Sequence, residues 1–92
     1  FFFFFLYNAT MKKLSDNHYK HEAFGSRLDH IMSAKSITNR DLAIQLALST
    51  STISGYRIGR RSPNVDELAR IAAALQVSSD YLIGLTEAET EF

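Results

Sequence analysis

Apolar residues recur at helical spacing along residues 24–85, and the polar residues between them fall where helices start and stop. Phe24, Leu28, Ile31 and Met32 stand at i, i+4, i+7 and i+8, the stripe of an amphipathic helix running from about Glu22 or Ala23 to Lys35. Ser36 ends it. Thr38 stands where the N-cap of a second helix should be, Asn39 to about Leu46, with Asp41 three residues on as a short-armed capping box. Leu42, Ala43 and Leu46 share one face of that helix. Ala47 and Leu48 make a turn, Ser49 caps a third helix from Thr50 to about Arg57, and Ile53 and Tyr56 continue the apolar side. Asn64, with Glu67 three residues on, opens a fourth helix; its buried stripe is expected to be Val65, Leu68, Ala69, Ala72 and Leu75, with Ile71 flanking. Ser78 caps a short fifth helix, where Val77, Tyr81 and Leu82 look like core and Gly84 closes the element. The pattern predicts an all-α chain, a compact five-helix bundle.

The third helix turns an unusual face to solvent. Thr50, Ser51, Ser54 and Gly55 are all small, and most can form hydrogen bonds. Arg57, Arg60 and Arg61 follow them. Short hydroxyl side chains followed by a basic loop suit a surface that approaches base edges and then grips phosphates.

Taken with their spacing, Thr38, Leu42-Ala43, Leu46, Ser49, Ile53-Ser54, Tyr56, Gly59 and Pro63 resemble the helix-turn-helix domain of the phage Cro/repressor and XRE-type bacterial regulators. The likeness extends upstream to Phe24-Gly25-Ser26-Arg27-Leu28 and downstream to Val77-Ser78-Ser79-Asp80-Tyr81-Leu82-Ile83-Gly84. It covers roughly residues 24–85, with the motif itself at about 38–58. The resemblance implies a lambda-repressor-like fold with the third helix in the major groove of double-stranded DNA. Thr50, Ser51 and Ser54 would then meet base edges, and Thr52 would lie nearer a phosphate. Gly55 would admit a close approach of DNA backbone or of a partner; plain drift is the competing account. None of these side chains offers the bidentate fork that reads guanine or adenine, so the code should be soft and supplemented by DNA shape.

The family usually places a phosphate-contacting glutamine, which also buttresses the recognition helix, where this chain has Asn39. The amide is kept and the reach is a methylene shorter. Arg40 on the first turn reaches either DNA backbone or solvent. Ser36 and Ala47 replace glycines that the family uses where the chain needs φ > 0. The family also often pairs an acid at position 57 with an arginine late in the first helix; here those positions hold Arg57 and Met32. The bland account is a lost surface salt bridge worth under about 1 kcal/mol. The functional one, which we expect, is that Arg57 is released to contact phosphate beside Arg60 and Arg61. In the family the last helix builds a two-fold interface, and Tyr81, Ile83 and Leu85 are its candidates here, giving a homodimer on DNA.

Composition sharpens this picture. The 92 residues include no cysteine, so neither disulfides nor a thiolate zinc site can staple the fold, and a cytoplasmic setting is expected. No apolar run approaches the ~18 residues that span a bilayer. The formal charge is zero, but residues 20–65 carry seven Lys and Arg against three acids, whereas residues 66–92 carry one against six. Such a dipole offers one end to a polyanion and repels it at the other. Three regions are expected: a leader and flexible arm over 1–21, the domain over 22–85, and an acidic, solubilising tail over 86–92.

Phe1–Phe5 has no place in a core, and residues 1–10 are expected to be a non-native leader ahead of Met11; an apolar docking arm is the alternative. His18, His21 and Glu22 could share a helix face, but no fourth ligand is near and the order matches no zinc-hydrolase helix, so no metal is expected. No nucleophile–base pair or phosphate-cradling loop stands out, so neither an enzyme nor a cofactor is expected. The leading function is a sequence-specific, dimeric DNA-binding regulator that represses a promoter. An antitoxin or accessory module that uses the same fold to hold a toxin or other regulatory protein is the alternative.

Overall fold

In the computed structural model, which describes residues 22–90, five helices follow one another: α1 Glu22–Ala34, α2 Asn39–Leu46, α3 Thr50–Arg57, α4 Val65–Leu75 and α5 Ser79–Leu82. No strand occurs among the described residues. The expectations for the leader, for the arm and for a His18/His21/Glu22 cluster lie outside the described residues, as do Glu91 and Phe92. No described helix is long and apolar enough to cross a membrane.

The starts of these helices are written locally. Thr38 accepts the Asp41 N–H at 3.0 Å while the Asp41 carboxylate accepts the Thr38 N–H at 3.1 Å, a complete capping box. The Thr38 N–H, then its hydroxyl, holds the Asp41 carboxyl below the ordinary carboxylate range, with Arg40 adding a smaller attraction. Ser49, Asn64 and Ser78 cap α3, α4 and α5 by accepting from Thr52, Glu67 and Tyr81.

The ends are equally regular. After each helix, two backbone N–H groups reach back to its last turn, as when Ser36 donates to Ser33 and Ile37 to Met32. The residue at the bend is Ser36, Ala47, Gly59, Gln76 or Gly84, all at φ between 57° and 86°. Ser36 and Ala47 therefore occupy the left-handed conformation that their positions demand, without glycine's freedom. Ile37, Leu48 and Val77 follow directly and turn the chain back into the core.

All five helices contribute to one core. Nine large side chains are essentially inaccessible: Phe24, Leu28, Ile31, Met32, Leu42, Ile53, Ile71, Leu75 and Leu82. Burial of each contributes about 1.5–3 kcal/mol to stability. The expected stripe on α4 is corrected. Ile71 is its centre, with Ala72, Leu75 and half-buried Leu68, whereas Ala69 faces solvent and Val65 is 81% exposed. Residues 69 and 71 lie about 200° apart on a helix and cannot share a buried face. Val65 begins the helix, beyond the edge of the core.

α1 is the common wall, packed on α3 at one side and on α5 at the other. Gly25 permits the first contact: a Cβ there would sit 2.7 Å from the Tyr56 carbonyl. The Tyr56 ring meets Phe24 edge-on at 5.8 Å, and its hydroxyl donates to Glu67 on α4. Burial, then the hydrogen bond and charge of Glu67, push that phenol up to about 12.

Candidate nucleic-acid interface

α2 and α3 meet across a turn whose geometry is set by Ala47 at φ 57°, ψ 43° and by Leu48, which packs against the core. The turn delivers Ser49 to the start of α3, where three hydroxyls and a guanidinium form one connected group. Ser49 Oγ accepts the Thr52 N–H at 3.1 Å and lies 3.1 Å from Ser51 Oγ and 2.8 Å from Thr52 Oγ1. Arg61 Nη1 donates to Thr52 Oγ1 at 3.3 Å. Thr50 and Ser51 are exposed, and Thr52 and Ser54 half-buried. The local cap thus ties Ser51, one residue of the expected hydroxyl face, to Ser49 and Thr52.

Gly55 does not join that face, which corrects the expectation for it. It is buried, and the site of its missing Cβ lies 3.1–3.6 Å from the aliphatic stem of Arg61. Its carbonyl accepts the N–H groups of both Arg60 and Arg61, at 2.8 and 3.1 Å. The close approach that glycine permits is that of the chain's own loop, which returns over α3 and places Arg61 beside Thr52.

Arg57 is not released. Its Nε and Nη2 lie 2.9 and 2.8 Å from Asp29 Oδ1, its Nη1 donates to Asn39 Oδ1 at 2.8 Å, and its Nη2 reaches Ser33 Oγ at 3.4 Å. The pair thought lost is present with its charges reversed: base on α3, acid on α1, one helical turn before Met32. Asn39 therefore buttresses α3 through Arg57. Arg40, on the first turn of α2, is exposed.

At the other side of α1, Arg27 performs a different task. Its Nη1 donates to the carbonyls of Tyr81 and Thr86 at 3.2 and 2.6 Å, and its Nη2 pairs with Glu87 at 3.1 Å. Its guanidinium also covers the Tyr81 ring at 4.6 Å. The Ser78 N–H donates to the Glu89 carbonyl at 2.7 Å, so the acidic segment folds back on the domain at that point. Of the proposed interface residues, Tyr81 is only 7% exposed and belongs to the chain's own core, Ile83 is half-buried and Leu85 is 56% exposed.

Sequence reasoning missed Asp29 and Ser33 as organisers of this surface, and Arg27 as the anchor of the C-terminal segment. One signal was available for Asp29. A basic residue at 57 calls for an acid on the facing helix, and Asp29 lies three residues before Met32. No such signal marks Arg27, whose partners are mostly carbonyls. Among the described residues no group of three or more His, Asp or Glu side chains could hold a metal.

Comparison with known proteins agrees with this geometry. The family model of the Cro/C1-type HTH DNA-binding domain matches residues 27–87. The chain is 33% identical over 61 residues to the uncharacterised HTH-type transcriptional regulator YobD of Bacillus subtilis, covering 66% of this chain and 54% of that protein. It is 33% identical over 72 residues to the HTH-type transcriptional activator BcrR of Enterococcus faecalis, covering 74% and 35%. Against the HTH-type transcriptional regulator ImmR of Bacillus subtilis the identity is 29% over 65 residues, covering 71% and 51%. The matched region thus spans about half the length of these relatives or less. Among solved structures, the restriction-modification controller protein C.AhdI from Aeromonas hydrophila superposes with a TM-score of 0.61 at 28% identity, covering 65% of this chain and 91% of that one.

Proposed function

The chain belongs to the Cro/C1-type helix-turn-helix DNA-binding domain family, and from that footing we propose that it is a transcriptional regulator of double-stranded DNA, acting as a homodimer and repressing by occupying its site. The observation that carries the reading is the hydrogen-bonded group of Ser49, Ser51 and Thr52 at the start of α3, tied to Arg61 in a basic loop that folds back over the helix. In this reading Thr50, Ser51 and Ser54 meet base edges, while Asn39, Arg40, Arg60 and Arg61 hold phosphates. Thr52 serves the site by tying Arg61 to the cap. Leu85 and the exposed part of Ile83 contribute to the two-fold contact, which sets two copies of α3 against half-sites about one helical turn, ~34 Å, apart.

The basis for the reading is physical. Short hydroxyls pair with either kind of base edge, so discrimination at each contacted position is modest and DNA shape adds the remainder. Each arginine on a phosphate releases counterions, giving a log–log salt slope of about −0.9 per contact. Asn39 is neutral and strengthens binding without steepening that slope. The acidic residues that follow position 65 leave the excess positive charge in the stretch that carries the motif.

The test is titration of the full chain against genomic fragments at several salt concentrations. A preferred fragment bound with a steep salt dependence supports the reading, and a flat response with no preferred fragment sinks it. Two substitutions test the division of labour. Ser51→Ala should relax base preference, whereas Arg60→Ala should weaken all sequences alike and make the slope shallower by about 0.9. A promoter–reporter assay then checks repression: expression rising with the amount of protein would overturn that part.

A further inference from the structure

Three helices meet through the side chains of Asp29 on α1, Arg57 on α3 and Asn39 on α2, and nothing in the core requires them to. Asp29 is 55% exposed, and a pair of this kind adds little to stability. We propose that Asp29 and Arg57 are positioning residues for DNA binding. They fix the Asn39 amide with its oxygen turned inward and its NH2 group outward, toward the phosphate it holds. This rests on the reading of Asn39 as a phosphate contact.

The argument follows from what each group can do. A guanidinium has only donors, so the atom of Asn39 that lies 2.8 Å from Arg57 Nη1 is the amide oxygen. The two N–H donors then lie at the opposite end of the amide. A flipped amide would set N–H against N–H beside a cation. Asparagine has one rotatable bond fewer than glutamine and a shorter reach, so a phosphate contact from this position depends on the amide being held at the right angle. Arg57 is itself held, because all three of its nitrogens have partners and its side chain is only 19% exposed. Asp29 sets that orientation by receiving both Nε and Nη2 on one oxygen. The polarity of the relay is fixed from acceptor to donor: carboxylate, guanidinium, amide oxygen, and an outward amide N–H.

The proposal gives Asp29 an effect opposite in sign to its charge. Removing an acid from a surface that meets DNA should tighten binding by simple electrostatics. Loss of positioning should weaken it.

The experiment measures affinity of the full chain for a duplex that it selects from a randomised pool, at several salt concentrations, with the melting temperature of each free variant read in parallel. Asp29→Asn and Arg57→Met are both expected to weaken binding several-fold, up to the roughly tenfold lost with one hydrogen bond to a charged group, while the free proteins still melt cooperatively. The salt slope should stay the same in Arg57→Met. Asn39→Ala should weaken binding similarly, and Asn39→Ala combined with Arg57→Met should be no worse than the weaker single variant. Tighter or unchanged binding by Asp29→Asn overturns the proposal. So does a slope made shallower by about 0.9 in Arg57→Met, which would make Arg57 a phosphate contact itself, or additive losses in the double variant. If Asn39→Ala alone leaves affinity unchanged while a preferred duplex is still bound, the phosphate role of Asn39 is wrong and the positioning proposal falls with it. Absence of any preferred duplex would instead overturn the DNA-binding reading as a whole.

Discussion

Two arginines of nearly equal burial, Arg57 and Arg27, stand on opposite sides of α1 and hold different kinds of structure. Arg57 binds side chains on α1 and α2, helices already fixed by the core, so it adds orientation more than stability. Arg27 binds the carbonyls of Tyr81 and Thr86 and the carboxylate of Glu87, in and beyond a four-residue helix whose following segment has few apolar anchors of its own. The same side chain therefore acts as an aligner where the backbone is already placed and as a clasp where it is not. What an arginine contributes is decided by how much its partners would move without it.

α1 is shared by both arginines, so the largest effect comes from displacing it. Gly25→Ala places a methyl 2.7 Å from the Tyr56 carbonyl, where neither backbone can yield easily. Helix propensity alone favours alanine by about 1 kcal/mol. We expect the clash to win, with a net loss of about 1–3 kcal/mol in denaturant unfolding and loosening on both sides of α1. A variant as stable as the parent would show that α1 and α3 are not held this close.

Arg27→Ala should separate the two regions. Its expected loss is about 1–2 kcal/mol, since the freed carbonyls recover water. Amide exchange should quicken at Ser78, whose N–H bonds to Glu89, while α2 and α3 keep their protection and base preference is unchanged. Protection at Ser78 that survives the substitution would remove the clasp from the comparison.

Next come the bends that lead into α2 and α3. Ala47→Gly and Ser36→Gly relieve left-handed backbone at φ 57° and should each raise stability by about 1 kcal/mol, read as a higher denaturant midpoint with unchanged slope. A fall in midpoint at either position would mean that the flexibility added to the unfolded chain outweighs the strain relieved.

The last effect is a slope confined to alkaline pH and absent at neutrality. The Tyr56 phenol is raised from about 10 in the unfolded chain to about 12 in the folded one, so across that interval the folded state retains a proton that the unfolded state has lost. Stability attributable to this group is complete below pH 10 and declines as pH rises toward 12. Tyr56→Phe should remove that part of the decline, and an unchanged alkaline slope in the variant would assign it elsewhere.

Much of the fold was legible because helix boundaries are local chemistry. Thr38 with Asp41, and Ser49, Asn64 and Ser78 as caps, each satisfy N–H groups within three residues, so reading a short window suffices. The left-handed bend at Ser36 was expected from the family resemblance, whereas the core positions of α1, α2, α3 and α5 were legible from the apolar spacing. The stripe on α4 was not, because several apolar residues left more than one way to turn that helix, and only its packing against α2 and α5 chose Ile71 over Ala69. In the site, the exposure of Thr50 and Ser51 could be read from spacing. The facing of Gly55 could not, since it depends on where the loop after α3 returns.

The amino-acid order alone thus determined the helices, their caps and the family, all of which arise from contacts between near neighbours or from a repeating pattern. Tertiary structure decided the fates of the arginines. Arg57 and Asp29 are 28 residues apart, and Arg27 and Glu87 are 60 apart. A charge in a sequence shows only its sign. Whether it meets DNA, another helix or a passing stretch of backbone depends on which surfaces the core brings together, and here the core set Arg57 against Asp29 and Asn39 and Arg27 against the C-terminal segment, while Arg61 lies beside Thr52 of α3.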